Sequence, residues 1–171
     1  ERGRPSSSQA ATAAGYVEVE EHEVTFVGSA AALTAEEVCA AGLIQSPGFG
    51  VVDTGCGKTL IGADTLSQVD ALLASHRRPG AERVSQPNTF RFGNGAVEHT
   101  EQLARIPVGI GGKTGLIEAA VIKGQAPLLL GRPTLQKLGM HLDFKTGVLT
   151  ALDGQVQVQM QCNPAGQVLL N

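Results

Sequence analysis

The sequence contains no tryptophan and a single tyrosine, and only 17% of its 171 residues are charged. Its 13 Lys and Arg residues are scattered rather than clustered, and the formal net charge is −3. We therefore expect neither nucleic acid nor a membrane among the partners of this domain, because the scattered charges give no basic surface that would attract nucleic acid or an anionic membrane. No apolar run reaches the roughly 18–20 residues of a transmembrane helix, and no basic-then-apolar signal pattern occurs at the amino end.

Cysteine is also scarce. Cys39, Cys56 and Cys162 are odd in number and have no C-x-x-C spacing, which argues against a disulfide framework and against a zinc site. The 4 histidines stand at no metal-ligand spacing, so we expect no metal and no cofactor. This cysteine usage indicates a reducing, intracellular setting, and we expect the cytoplasm. Because residue 1 is a glutamate, we expect a piece of a longer chain, either processed from a polyprotein or cut as a fragment.

Glycine, in contrast, is abundant. The 22 glycines and 42% hydrophobic residues predict a mostly β protein of short strands and tight turns. The length fits one domain with its own core. Residues 1–15, rich in Ser, Ala, Gly, Arg and Pro, are typical of a flexible tail or linker remnant. We expect the folded domain over residues 16–152, followed by a hairpin or tail over residues 153–171.

Local patterns predict the elements of this domain. A capping box at Thr34 predicts a short helix that ends near Gly42. Apolar residues at helical spacing predict a second helix over 60–73, and residues 75–87 are typical of a polar connection. Residues 88–106 form two strand-like arms around an Asn-Gly pair, the strongest short-range signal for a hairpin.

A short apolar run, residues 49–52, stops abruptly at Asp53-Thr54-Gly55. This pattern places a carboxylate on a turn at the end of a buried strand, where glycine permits a backbone path that a side chain would block. An aspartate in such a turn more often satisfies nearby backbone N–H groups than it performs catalysis. Asp53 is therefore a candidate catalytic residue whose assignment depends on the rest of the pattern.

Three motifs in the same order resemble those of the retropepsin family, especially the proteases of retrotransposons, over about residues 16–152. The first is Val52-Asp53-Thr54-Gly55. The second is a glycine-bearing hairpin at the place of the family's flap, which contains Phe92, Gly93, Asn94 and Gly95. The third is Leu129-Leu130-Gly131-Arg132 before a short helix that begins at Pro133 and is closed by Gly139.

The resemblance implies a closed, β-barrel-like protomer with one or two short helices that acts as an obligate homodimer. We find one Asp-Thr-Gly in the chain, whereas hydrolysis by this mechanism needs two carboxylates that share a proton. Each chain would then supply Asp53 as its single catalytic residue, supported by Thr54 and Gly55, to cut an extended peptide or a polyprotein. The tail after residue 152 could contribute to the dimer interface.

The chain departs from the family after the triplet, where Gly57 and Lys58 replace an acidic residue that often pairs with the arginine of the third motif. Asp64 is a possible stand-in as the partner of Arg132.

Two alternatives belong to other classes. One is a catalytically silent, retropepsin-like domain for dimerisation or peptide binding. The other is a hydrolase with Cys56 as nucleophile and His99 or His141 as its partner, although a small apolar filler is the stronger interpretation of that cysteine.

Overall fold

A computed structural model describes residues 48–93, 95–163 and 166–171 in full, and the backbone of residues 24–27. The expected tail over 1–15, the helix predicted over 34–42 and the flap residue Asn94 lie outside this range. In the described part of the chain, no helix is both long and apolar enough to cross a membrane.

The described residues form twelve strands and two helices, which confirms the mostly β prediction. In chain order the elements are β1 (Val24–Val27), β2 (Gly50–Val52), β3 (Leu60–Gly62), α1 (Ala63–Ser75), β4 (Glu82–Phe92), β5 (Val97–Ile110), β6 (Lys113–Ile122), β7 (Leu128–Leu130), α2 (Arg132–Lys137), β8 (His141–Asp143), β9 (Val148–Ala151), β10 (Val156–Gln159), β11 (Gln161–Cys162) and β12 (Val168–Leu170).

Nine strands make one sheet in the order β1-β4-β5-β6-β3-β7-β2-β12-β11, and β10-β9-β8 make a second. β2 lies inside the large sheet, where it pairs in parallel with β7 and antiparallel with β12. The strand that leads into Asp53 is therefore hydrogen-bonded on both sides. Within the described residues the large sheet ends at β1 and β11, so the closed barrel implied by the resemblance is not found there.

The chain between β2 and β3 loops around the end of β7, because β7 pairs with both of these strands. Gly131, directly after β7, passes under this loop. A Cβ atom at Gly131 would lie 2.5 Å from the carbonyl carbon of Lys58 and 2.9 Å from the backbone nitrogen of Thr59. Only glycine permits this approach, since real Cβ atoms are essentially never so close to backbone.

The helix predicted over 60–73 begins later than its apolar pattern suggests. Leu60 and Ile61 lie in β3, and α1 starts at Ala63. All three residues of β3 are buried, and a short buried strand followed by a helix has the same apolar spacing as one longer helix. Leu66 of α1 has 1% of its surface exposed and packs in the main hydrophobic core.

The polar connection predicted over 75–87 is also wrong in its second half, because β4 begins at Glu82. Its first residues are polar because this part of the strand is largely exposed. Pro87 is tolerated because the register with β5 shifts between Ser85 and Asn88, and a bulge removes the need for a ladder N–H at that position.

The short helix of the third motif is confirmed, although α2 begins at Arg132, one residue before Pro133. Its end is the predicted one. Gly139 has φ +53°, its N–H donates to Gln136, and the N–H of Met140 donates to Leu135. These two bonds are those of a Schellman motif, in which glycine supplies the left-handed residue.

Candidate active site around Asp53

Asp53 follows β2 directly and is held by backbone hydrogen bonds. Its own N–H donates to the carbonyl oxygen of Leu130 at 3.2 Å, so the β2–β7 pairing continues up to the aspartate. The N–H of Gly55 donates to Oδ1 of Asp53 at 2.9 Å, and the N–H of Cys56 donates to its carbonyl oxygen at 3.3 Å. The turn therefore fixes the carboxyl group relative to the sheet.

The carboxyl group of Asp53 is half-buried, and burial raises its pKa above the ordinary value because the charged form loses hydration. The N–H groups of Gly55 and Cys56 act in the opposite direction and offset only part of this effect. A carboxyl group of this kind holds its proton to higher pH than an exposed aspartate does. That property suits a residue that must act as an acid as well as a base.

Thr54 and Gly55 are exposed, so the turn faces solvent rather than the core of its own chain. In the described part of the chain, no cluster of three or more His, Cys, Asp and Glu side chains could hold a metal ion. No other carboxylate among these residues contributes to the pKa shift of Asp53 either. The described residues therefore bring one carboxyl group to this turn, where backbone N–H groups of Gly55 and Cys56 face it.

Cys56 packs inside the protein and is fully buried in a small apolar cluster beneath the turn. Its Sγ atom donates to the carbonyl oxygen of Lys58 at 2.6 Å. Burial and the nearby Asp53 charge raise the pKa of the thiol to about 12, although the Lys58 contact acts in the opposite direction. His99 and His141, the partners considered for a cysteine nucleophile, are exposed and outside this cluster. An inaccessible thiol that stays protonated does not fit a nucleophile, so the filler interpretation holds.

A pair of threonines, which the sequence interpretation missed, ties the Asp53 loop to α2. The hydroxyl of Thr59 accepts the N–H of Gly131 at 3.0 Å and donates to Oγ1 of Thr134 at 2.7 Å. Thr59 is only 6% exposed. The sequence signal for this pair is weak. It is only that Thr59 directly precedes the buried Leu60, and a buried polar residue must find a hydrogen-bond partner inside the protein.

Arg132 reaches the Asp53 loop through its backbone, since its N–H donates to the carbonyl oxygen of Cys56 at 2.9 Å. Its side chain is exposed. The ion pairs between described residues join Arg83 with Asp70 and Arg105 with both Glu82 and Glu118. The suggested pairing of Arg132 with Asp64 is not among them, so that expectation is wrong for this structure.

The hairpin of the second motif is present and its base packs close to the Asp53 loop. Phe90 of β4 is fully buried in the cluster that contains Cys56, and Phe92 and Leu129 pack against the same cluster. The turn closes through a bond from the N–H of Gly95 to the carbonyl oxygen of Phe92 at 2.8 Å, and Gly95 has φ +84°. Positive φ at this glycine is what the Asn-Gly signal predicts.

The hairpin is also tied to the loop by a polar contact. The ammonium group of Lys58 donates to Oδ1 of Asn88 at 3.2 Å, and Asn88 is 6% exposed at the bulge of β4. Gly93 and Gly95 at the hairpin tip are exposed. The three motifs thus lie together. The Asp53 turn, the base of the hairpin and the β7–α2 junction all contact the apolar cluster around Cys56, and the hydrogen bonds of Lys58, Thr59 and Arg132 join them.

No protein-family profile and no curated protein sequence matches the chain. Among solved structures, the retroviral protease-like domain of Ddi1 from Leishmania major is similar to it, with a TM-score of 0.40 and 17% identity over 64% of this chain and 80% of that one. A likeness of this size identifies neither the family nor the activity of the chain.

Proposed function

We propose that this chain is one protomer of a retropepsin-like aspartic endopeptidase whose active site forms between two identical chains. The observation that carries the proposal is the state of Asp53. It is a rigidly held carboxyl group with a raised pKa, at a turn exposed to solvent, and the described residues place no second carboxyl group beside it. An aspartic dyad needs two such carboxyl groups, and a second copy of the chain would supply the one that this turn lacks.

In the proposed reaction one Asp53 is ionised and the other protonated, because two like charges at contact distance cannot both ionise cheaply. The ionised carboxylate takes a proton from a water, whose oxygen attacks the carbonyl carbon of the peptide. The protonated carboxyl gives its proton to the carbonyl oxygen. When the tetrahedral intermediate collapses, the C–N bond breaks and the amine nitrogen takes the proton that the first carboxylate took from water. One hydroxyl of the intermediate returns its proton to the second carboxylate, which regenerates one ionised and one protonated Asp53.

By the resemblance, Thr54 would bond across the two-fold axis and Gly55 would offer backbone groups to the substrate. The exposed positions of both residues leave them accessible for such contacts. Phe92, Gly93, Asn94 and Gly95 would form the flap that closes on an extended peptide and excludes water. Leu129, Leu130, Gly131 and Arg132 would support the turn from below. On the same resemblance, we propose that the enzyme is of the retrotransposon type and processes a polyprotein.

The test is peptide cleavage at mildly acid pH by the wild type and by Asp53→Asn, with Asp64→Asn as a matched control. Asp64 is an exposed residue in the first turn of α1, so its substitution changes charge by the same amount without touching the Asp53 turn. We expect Asp53→Asn to be folded and inactive and Asp64→Asn to be active. Equal activity of wild type and Asp53→Asn would refute the proposal, and no activity in any variant would favour the silent dimerisation or peptide-binding domain.

A mixing experiment tests whether the site is shared. If each dimer needs two copies of Asp53, adding an equal amount of Asp53→Asn to the wild type should lower cleavage to about half, because mixed dimers are inactive. A monomeric enzyme would keep its full activity. Chelators should have no effect. Thiol alkylation should not reach Cys56, because its thiol is buried and holds its proton.

A further inference from the structure

We propose that a cavity beneath α1 is a second binding site, which takes a small, uncharged and mainly apolar molecule with one hydrogen-bonding group. The cavity has a volume of about 200 Å³ and lies between α1 and the large sheet. Thr65, Val69 and Leu72 line it from the helix, and Ile106, Ile117 and Leu128 line it from the strands. Asp53 is not part of its wall.

The chemistry of the wall excludes a charged ligand. Every described side chain that lines the cavity is uncharged, and most are aliphatic or proline. An ion that enters such a space loses its hydration and finds no side-chain counter-charge, which costs far more than apolar burial returns. The wall therefore selects apolar surface.

One buried polar group breaks this pattern. Thr65 is 7% exposed, and its Oγ1 atom has no hydrogen-bond partner among the described residues. A helical threonine commonly bonds its hydroxyl to a carbonyl one turn earlier, but this one does not. A buried hydroxyl without a partner loses its hydration without compensation, and a ligand with an acceptor or donor at that point would recover part of this energy.

The size of the cavity fits an occupant of about one aromatic ring. An engineered apolar cavity of roughly 150 Å³ stays dry and binds benzene, and the present cavity is somewhat larger. A water molecule is the competing occupant. Ordered internal water typically makes about three hydrogen bonds, whereas among the described lining residues only Thr65 has a buried polar side chain.

The site is independent of the proposed peptidase. Gly50, at the start of β2, lines the cavity, whereas Asp53 follows the other end of the same strand. Binding here therefore does not require the dimer, and the proposal stands or falls separately from the assignment of Asp53.

The experiment titrates the whole chain with phenol and with benzene, followed by protein NMR chemical shifts, in wild type, Thr65→Val and the control Thr114→Val on the exposed end of β6. We expect saturable binding of both probes to the wild type. Thr65→Val should weaken phenol about 5–10-fold and leave benzene unchanged or tighter, because only phenol can use the hydroxyl. Thr114→Val should change neither probe.

A cavity-filling variant, Val69→Phe, should abolish binding of both probes, with folding checked by circular dichroism and Leu72→Phe used if the first variant does not fold. The proposal is wrong if the wild type binds neither probe saturably, or if Thr65→Val binds phenol as the wild type does. It is equally wrong if the binding shifts disappear on dilution to monomer, since a second copy would then be forming the site.

Discussion

The side-chain hydroxyl of Thr59 accepts the backbone N–H of Gly131 at 3.0 Å, in the interior of the protein. This bond joins the loop that follows Asp53 to the junction of β7 and α2. Thr59→Val keeps the shape of the side chain and leaves the Gly131 N–H without an acceptor. We expect a loss of about 1–3 kcal/mol in the free energy of unfolding, measured by urea denaturation.

The matched control is Thr134→Val, which breaks the bond between the two hydroxyls but leaves the Gly131 N–H bonded to Thr59. Thr134 is partly exposed, so water can replace its lost partner and the loss should be smaller. If the two variants are destabilised equally, the Thr59–Gly131 bond has no special role in the loop.

Gly131 itself is the second test. Gly131→Ala places a methyl group against the backbone of Lys58 and Thr59, which belongs to the Asp53 loop and cannot simply rotate away. We expect a loss of about 2–4 kcal/mol in unfolding free energy. Gly115→Ala in β6 is the control, because a Cβ atom there meets nothing within 4 Å. Similar stabilities of the two variants would show that the loop can shift at little cost.

The raised pKa of Asp53 predicts a pH-dependent stability difference. The folded state holds the proton more tightly than the unfolded state, so this contribution is fully present below the unfolded pKa and is lost as pH rises through the folded pKa. Asp53→Asn does not titrate. Its unfolding free energy relative to the wild type should therefore increase as pH rises from acid toward neutral.

Chemical denaturation across this pH range, at concentrations where the chain is monomeric, measures the difference. Asp64→Asn provides the baseline for removing one exposed carboxylate. A pH-independent difference between wild type and Asp53→Asn would mean that burial does not affect the carboxyl group in solution.

The hairpin tip is tested at Gly95, which has φ +84° and where an added Cβ atom would meet nothing within 4 Å. Gly95→Val introduces backbone strain alone, because a β-branched residue resists positive φ, whereas Gly95→Asn tolerates it. If the hairpin is a flap, Gly95→Val should lower kcat/KM much more than it lowers the melting temperature, and Gly95→Asn should be close to wild type. Parallel losses of activity and stability would count against a flap.

The sequence is most informative where backbone geometry permits few residue types. Gly95 of the Asn-Gly pair locates the hairpin, and Gly139 locates the end of α2, because both glycines have positive φ. Gly131 belongs to the third motif of the sequence. The structure shows why a glycine is needed there: the backbone of residues 58–59 passes too close for a Cβ atom. No local pattern contains that contact, since it joins segments far apart in the chain.

The errors have the same origin. Leu60 and Ile61 form a strand because β6 and β7 pair with β3, and this tertiary pairing overrides their helical spacing. The polar start of β4 is a strand because β5 pairs with it along its length. Thr59 and Thr65 do not stand out in the sequence, because a hydroxyl gives no signal of its burial until its neighbours are known.

The pairing of β12 with β2 has a consequence for the order of events during synthesis. The strand that leads into Asp53 acquires its second neighbour only from residues 168–170. A ribosome therefore releases the aspartate turn long before the segment that completes its sheet. Contacts between such distant positions form slowly because a long loop must close first. The Asp-Thr-Gly turn of a nascent chain would thus lie in an incomplete sheet. The sheet around it would be completed only when nearly the whole domain has left the ribosome.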